Sequence, residues 1–554
     1  MTFMRSTDRR AFIGQLAAFS ATVPFARAAE SGPLAASDGG ELGPLTHAQR
    51  RRMALEIRIE AARFQYAAPV IPLDSNGDES SPLGSIACFG KTLDHNSLGE
   101  TEPSAYDLLR NALASGRAAD FDAIPRASAG KLANPQSSYA FSLEGPDAHQ
   151  VPIPSPPRFA SAEMASEMVE VYWQALTRDV PFAEFDSSPA IQQAARELGG
   201  LPDFRGPKVQ GQLTSGTIFR GGTVGDLNGP YMSQFLWKPL VYGLTPIEQK
   251  YRTTAAQTDY MTNPVEWLSI QQGSSPSQTL ALDVTPRYIR NGRDLAAYVY
   301  RDFSYQAVLN AALLLTDMGN AALSDENPYK KSISQTGGIT FGSFQILDWL
   351  ARVTTAAMKA AWCQKWLVHR RIRPEETSGR IHQHLSRKAA YPLHQSVLNS
   401  TAVAVCKERY GSYLLPMAYP DGCPPHPSYP AGHAVIAGAG VTVLKAFFQG
   451  DMAIPDPVVA SADGLSLAPY SSPPGGPRLT IAGELNKLAS NIAIGRDTAG
   501  VHYRSDGIQG LRLGEAVAIG VLHDLVSTLT EEFEAFRLSR FDGTEITICR
   551  DCIL

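Results

Sequence analysis

From residue 161 onward, apolar side chains return every three or four positions in segment after segment, and no stretch sustains an apolar–polar alternation of period two. Spacing of that kind lays an apolar stripe along a helix, whereas a half-buried strand needs every second residue. Helices are therefore predicted over 161–176, 264–271, 294–318, 344–368, 389–409, 432–448, 484–494 and 509–536, with an earlier one over 46–62 and a short piece at 105–114. In the first of these runs Ser161 supplies a cap, Glu163 suits the opening turn, and Met164, Met168, Val171, Tyr172 and Ala175 form the core face. Ahead of residue 158 the chain is rich in Pro, Ser and Gly, a composition for long connections. No hairpin signal separates the apolar runs, so the predicted class is all-α, with helices packed as bundles and joined by long loops.

The 554 residues are 44% apolar and 19% charged, enough to bury a large core. A net charge of -5 gives no cationic field, so no nucleic acid partner is expected. The most apolar run, 434–448, is interrupted by Lys445 and falls short of the ~20 residues that a span requires, so no membrane span is predicted. Residues 1–28 read as a twin-arginine export signal: Arg9-Arg10 precedes a lysine-free apolar stretch that ends in Ala26-Arg27-Ala28. Periplasmic or secreted location follows, with a flexible leader over 29–46, a helical catalytic domain over 47–554, and Arg50, Arg51 and Arg52 on a solvated face. Six cysteines permit disulfides without requiring them. Cys549 and Cys552 have redox-motif spacing, but no helix follows to lower a thiol pKa, so they read as a structural clip or as free thiols.

Three distant segments gather cations and histidines beside backbone breakers. Between Lys365 and Arg373 an unbroken helix would advance about 12 Å, too far for one small anion to bridge. Pro374 disfavours helical geometry at Arg373, so the helix is predicted to end near there, with Lys365 reaching forward and Arg373 back. Taken alone, such a cluster more often complements a helix C-terminus. The second segment, His426 to His433, runs into an apolar helix. Its prolines set an extended approach, Gly432 admits a ligand to the unpaired N–H groups of the new helix, and His433 is placed to exchange protons with a bound oxygen. In the third, Arg496 and His502 are separated by about 600° of helical rotation and cannot share a face, so a break at Gly500 is predicted. His502 then begins the next helix, with Asp506 on its face four residues later. A lone histidine is more often a packing residue, but together these segments supply three cationic heads and several imidazoles. That combination calls for a multiply charged tetrahedral oxyanion, phosphate or vanadate.

In order and spacing, Lys-x7-Arg-Pro, Pro-x-Gly-His and Arg-x5-His resemble the three-part signature of the vanadium-dependent haloperoxidases, which share an anion site with bacterial acid phosphatases of the phosphatidic acid phosphatase superfamily. The spacing after Lys365 and the additional His426 resemble the bromoperoxidase branch, as do 132–136, 143–147, 178–181, 225–234 and 288–297. The resemblance implies an all-α fold built around two four-helix bundles, with vanadate as cofactor. It implies His502 as the axial metal ligand, and Lys365, Arg373, Arg496 and the Gly432 N–H as holders of the oxygens. His433 would be the acid–base residue, His426 would tune the halide or peroxide site, and Lys365 would serve catalysis as well as binding. The implied reaction uses hydrogen peroxide to oxidise bromide, iodide or chloride to hypohalous acid, which halogenates an organic acceptor, in a homo-oligomeric enzyme. Where the family usually has serine this chain has Ala431, and the missing hydroxyl is worth ~1–3 kcal/mol if nothing replaces it. A periplasmic phosphatase with His502 as nucleophile is the alternative, and a non-catalytic oxyanion binder a third reading.

Overall fold

Helices carry the fold, as the apolar spacing predicts. The computed structural model describes residues 45–554, so the predicted export signal and all but the end of the predicted leader lie outside the described residues. Residues 54–554 form one compact unit, and the stretch up to Met53 is grouped separately. Helix α1 (His47–Ala67) has no buried side chain, and its arginine run is exposed. α2 (Pro103–Ser115) begins on a proline and stops at Gly116, whose φ of 67° no other residue type adopts as freely. α3 (Ala162–Thr177) starts at Ser161, whose hydroxyl accepts from the Met164 N–H at 3.1 Å. It is buried on all sides, because Glu167 and Glu170 on its polar face are themselves covered by arginines.

After α4 (Pro189–Gly200) and α5 (Pro264–Gln271), the helix predicted over 294–318 proves to be two, α6 (Gly292–Arg301) and α7 (Gln306–Asp317). Asp302 is extended, with ψ at 147°, and interrupts the ladder between them. α8 (Ser343–Trp362) continues into a π-helical turn, Cys363–His369, that stops at left-handed Arg370. α9 (Pro374–Leu385) was not predicted, since its polar sequence carries no apolar stripe, yet residues 374–383 are buried. The prediction over 389–409 shrinks to one turn, Gln395–Leu398, and α10 (Thr401–Tyr410), because Pro392 bars a helix through the residues before it. α11 (Gly432–Phe447), α12 (Ile481–Thr498) and α13 (Arg504–Val526) follow.

Three two-stranded antiparallel hairpins also correct the sequence reading. They are β1 (Leu240–Tyr242) with β2 (Thr245–Ile247), β3 (Val458–Ala460) with β4 (Leu467–Pro469), and β5 (Phe536–Ser539) with β6 (Glu545–Ile548). Strands of three or four residues are too short to show a period. Phe536, assigned above to the last helix, lies in β5, and Asp542-Gly543 with φ 86° at the glycine is the turn signal that marks this hairpin.

α11 is the spine of the larger core and packs on α8, α12 and α13. Val435, Val441, Val443 and Leu444 are fully enclosed, each such burial contributing ~1.5–3 kcal/mol. A Cβ at Gly438 would collide with the Leu511 carbonyl and one at Gly514 with the Val435 carbonyl, so α11 and α13 meet backbone to backbone. Cys549 and Cys552 form a disulfide, and Cys88, Cys363, Cys406 and Cys423 are free and buried. Among the described residues, no helix is long and apolar enough to cross a membrane.

Candidate active site

The π-helical turn ends at His369, so the break expected before Pro374 is present a little early. It leaves Lys365 fully buried, its Nζ donating to the carbonyls of Pro427 and Ser428 at 2.8 Å each. Arg373 is extended at the N-cap of α9, where its N–H donates to Glu376 Oε2 at 3.1 Å. In the second segment Ala431 is the N-cap of α11 and offers no side-chain bond, while Gly432 opens the helix with its N–H among the unpaired first-turn groups. A Cβ on Gly432 would meet Met358 at 3.4 Å and Trp362 at 3.7 Å, ordinary contacts, so these neighbours do not by themselves demand a glycine. His433 follows in the first turn, with Nε2 at 3.1 Å from Asp302 Oδ1.

Gly500 makes the predicted break with φ 85°, after Arg496 in the last turn of α12. The expectation that His502 starts the next helix is corrected: it lies in the link, and α13 begins at Arg504. Asp506 therefore reaches His502 from the first turn of α13 instead of along a shared helix face. Its Oδ2 accepts from His502 Nδ1 at 2.9 Å, from the Tyr503 N–H at 3.2 Å, and from the Ser428 hydroxyl.

Arg373 ties the three segments together. Its Nη1 donates to His502 Nε2 at 3.0 Å and to the Val501 carbonyl at 2.7 Å, and its Nη2 to His426 Nδ1 at 2.9 Å. Arg496 donates from Nη1 to the Val299 carbonyl at 2.7 Å and lies 5.7 Å from the Tyr419 ring centroid, but among the described residues its buried Nε has no partner. Among the described residues, Lys365, Arg373 and Arg496 enter no ion pair with a carboxylate. Arg371, close by in sequence, is by contrast held by Glu167 at 2.8 Å and Asp506 at 2.6 Å.

Burial, followed by the neighbouring Arg373, pushes Lys365 well below its ordinary pKa, and burial also lowers Arg373. His502 and His426 are driven well down by burial and then by Arg373. His433 is lowered by burial and Arg496, against the pull of Asp302. Burial acts to raise Asp506, yet Arg371 and His502 hold it well below the usual carboxylate range. Buried cations without counter-ions are expensive. The contacts of His502 place the proton on Nδ1 and leave the Nε2 lone pair toward the cations. That donor set fits a tetrahedral oxyanion whose central atom takes the Nε2 lone pair.

Sequence reasoning assigned no role to Asp302, Ser428, Arg371 or Trp362, whose ring centroid lies 4.9 Å from that of His426. Asp302 was hidden inside a predicted helix, and the other three lay within or beside the quoted segments without a sign of what they touch.

A family model described as the VCPO second helical-bundle domain matches residues 348–531, which include all three segments. The chain is 33% identical over 527 residues to a vanadium-dependent bromoperoxidase of Ascophyllum nodosum, covering 91% of this chain and 93% of the relative. It is 34% identical over 602 residues to a vanadium-dependent bromoperoxidase of Corallina pilulifera, covering 90% and 98%. A solved structure described as the homohexameric second vanadate-dependent bromoperoxidase (AnII) of Ascophyllum nodosum superposes with a TM-score of 0.88 at 30% identity, covering 98% of this chain and 96% of that one. With relatives this similar along nearly their whole length, and with the signature residues gathered at one site, the chain belongs to the vanadium-dependent bromoperoxidase family.

Proposed function

We propose that the protein is a vanadium-dependent haloperoxidase that turns halide and hydrogen peroxide into hypohalous acid, with overall balance H2O2 + X⁻ + H⁺ → HOX + H2O. Bromide or iodide is the proposed halide, chloride a further candidate, and an organic acceptor is halogenated by the product. The observation that carries this reading is the set of three buried cations, Lys365, Arg373 and Arg496, which among the described residues have no carboxylate partner, with Arg373 on Nε2 of His502.

When bound, vanadate supplies a Lewis-acidic centre at which peroxide becomes electrophilic toward halide. His502 would hold it through Nε2, with Asp506 fixing the imidazole from behind. Lys365, Arg373, Arg496 and the Gly432 N–H would hold the oxygens and draw negative charge away from the reacting centre. His433 is partly open to solvent, and with Nε2–H donating to Asp302 its Nδ1 is the basic atom. That nitrogen would take a proton from incoming peroxide and return one as hypohalous acid leaves. His426, between Arg373 and Trp362, is placed to tune the halide side.

The homohexameric relative supports assembly of this chain into a homo-oligomer. The Arg9-Arg10 stretch and the Ala26-Arg27-Ala28 exit support export by the twin-arginine route, with the enzyme working in the periplasm or outside the cell. The test is vanadate loading of protein stripped of phosphate, followed by peroxide assays with bromide, iodide and chloride and a parallel phosphate-ester assay. Vanadate-dependent halide oxidation is expected. Ester hydrolysis that vanadate inhibits, without halide oxidation, overturns the proposal in favour of a phosphatase, and tight oxyanion binding without either turnover reduces the site to a binder.

A further inference from the structure

A cavity of about 180 Å³ lies between α12 and α13, with Ser490, Ile494 and Asp497 from the first, Arg504 and Leu511 from the second, and Phe541 from the β5–β6 turn in its wall. None of the residues proposed to hold vanadate lines it. Asp497 is 4% exposed, and among the described residues its buried Oδ1 has no hydrogen-bond partner. A carboxyl taken from water without a donor is costly and rare, so one in the wall of a cavity marks a place for a ligand that brings the donor.

Among the described residues no cation pairs with Asp497. Arg504 is used up, with Nε and Nη2 on the Glu170 carboxylate and Nη1 on the Arg220 carbonyl at 2.9 Å. Arg512 and Asp542, also in the lining, carry opposite charges. Burial first, and Glu170 second, push the Asp497 carboxyl well up, against the pull of Arg504. The hydroxyls of Ser490 and Thr223 lie 3.3 Å apart and engage each other. Ile494, Leu511 and Phe541 make the remaining wall apolar, and the volume is below the ~300 Å³ at which pockets for drug-sized ligands begin.

We propose that this cavity is a second ligand site, for a small primary amine whose single ring or short chain rests on Ile494, Leu511 and Phe541 while its nitrogen donates to Asp497. Acids are turned away by the same carboxyl, and neutral alcohols bring a donor but no charge.

The test is calorimetric titration of the full-length, vanadate-loaded protein with benzylamine, benzyl alcohol and benzoate in the absence of peroxide, with thermal unfolding as a second readout. Benzylamine is expected to bind one per chain and to raise Tm, and the alcohol and the acid to bind at least about tenfold more weakly. Asp497→Asn keeps the shape and is expected to weaken the amine at least about tenfold, and Ile508→Trp, at a further residue of the lining, keeps the acid while filling the cavity and is expected to remove binding. Equal affinity for benzyl alcohol or benzoate, undiminished amine binding in Asp497→Asn, or no detectable binding of benzylamine to the native chain overturns the proposal. The probe series on the unaltered protein reads the site even where a variant fails to fold.

Discussion

His502 donates from Nδ1 to the carboxylate of Asp506 at 2.9 Å, and this contact decides that Nε2, not Nδ1, faces the buried cations. Asp506→Asn keeps an acceptor but removes the charge that orients and enriches the imidazole. Vanadate affinity is expected to fall by ~10–100-fold, read by titrating stripped protein with vanadate and following halide oxidation. Tm is expected to fall as well, because Arg371 loses one of its two carboxylates. Unchanged affinity would separate Asp506 from the cofactor's support.

Lys365 is buried with only carbonyl partners, so its charge is useful only to an anion. Lys365→Met is expected to weaken vanadate by about tenfold or more. At a vanadate concentration near 100 times the native Kd, the stabilisation on loading then drops from ~2.7 to ~1.4 kcal/mol, visible in thermal unfolding with and without vanadate. Equal stabilisation of both proteins would show that this ammonium does not contact the oxyanion.

Ala431 caps α11 with no side-chain oxygen. Ala431→Ser supplies an acceptor for a first-turn N–H, worth ~1 kcal/mol to the vanadate-free protein, and a hydroxyl next to Gly432. Both Tm without vanadate and affinity for vanadate are expected to rise, the latter by about fivefold. A gain in Tm without a gain in affinity would confine the hydroxyl to capping.

Among the described residues neither ring nitrogen of His369 has a partner, and burial, followed by Arg370, pushes its pKa down from 6.5 to about 3. As pH falls through about 6.5 the unfolded chain gains a proton that the folded chain refuses until about 3, so stability present above this window is lost on the way down, by up to ~1.4 kcal/mol per pH unit. His369→Phe preserves an aromatic ring edge-on to Tyr429, now at 4.8 Å, and removes the titration. The decline of Tm from about pH 6.5 to about pH 5 should be shallower in the variant, and parallel curves would reject this source of acid sensitivity.

Long amphipathic helices and the three-part cationic signature were readable because each leaves a local mark: an apolar period, or a basic residue beside Pro or Gly. α9 was not, since Glu375, Glu376, Arg380 and His382 look like a solvated surface and are buried only through what other segments bring to them. The break at Asp302 was equally silent, because the apolar spacing on either side continues in phase across it. Asp506 was visible as a neighbour of His502, but for a different reason from the one the fold uses: a turn brings it back, where helix periodicity had suggested a common face.

Because α3 spends Glu167 on Arg371 and Glu170 on Arg504, positive potential does not spread through the whole interior around α9 and α13. What survives is a small electropositive spot in an otherwise balanced medium, so ions arriving from solution are ranked there by charge density and geometry, and phosphate in the surrounding fluid becomes the natural rival for occupancy.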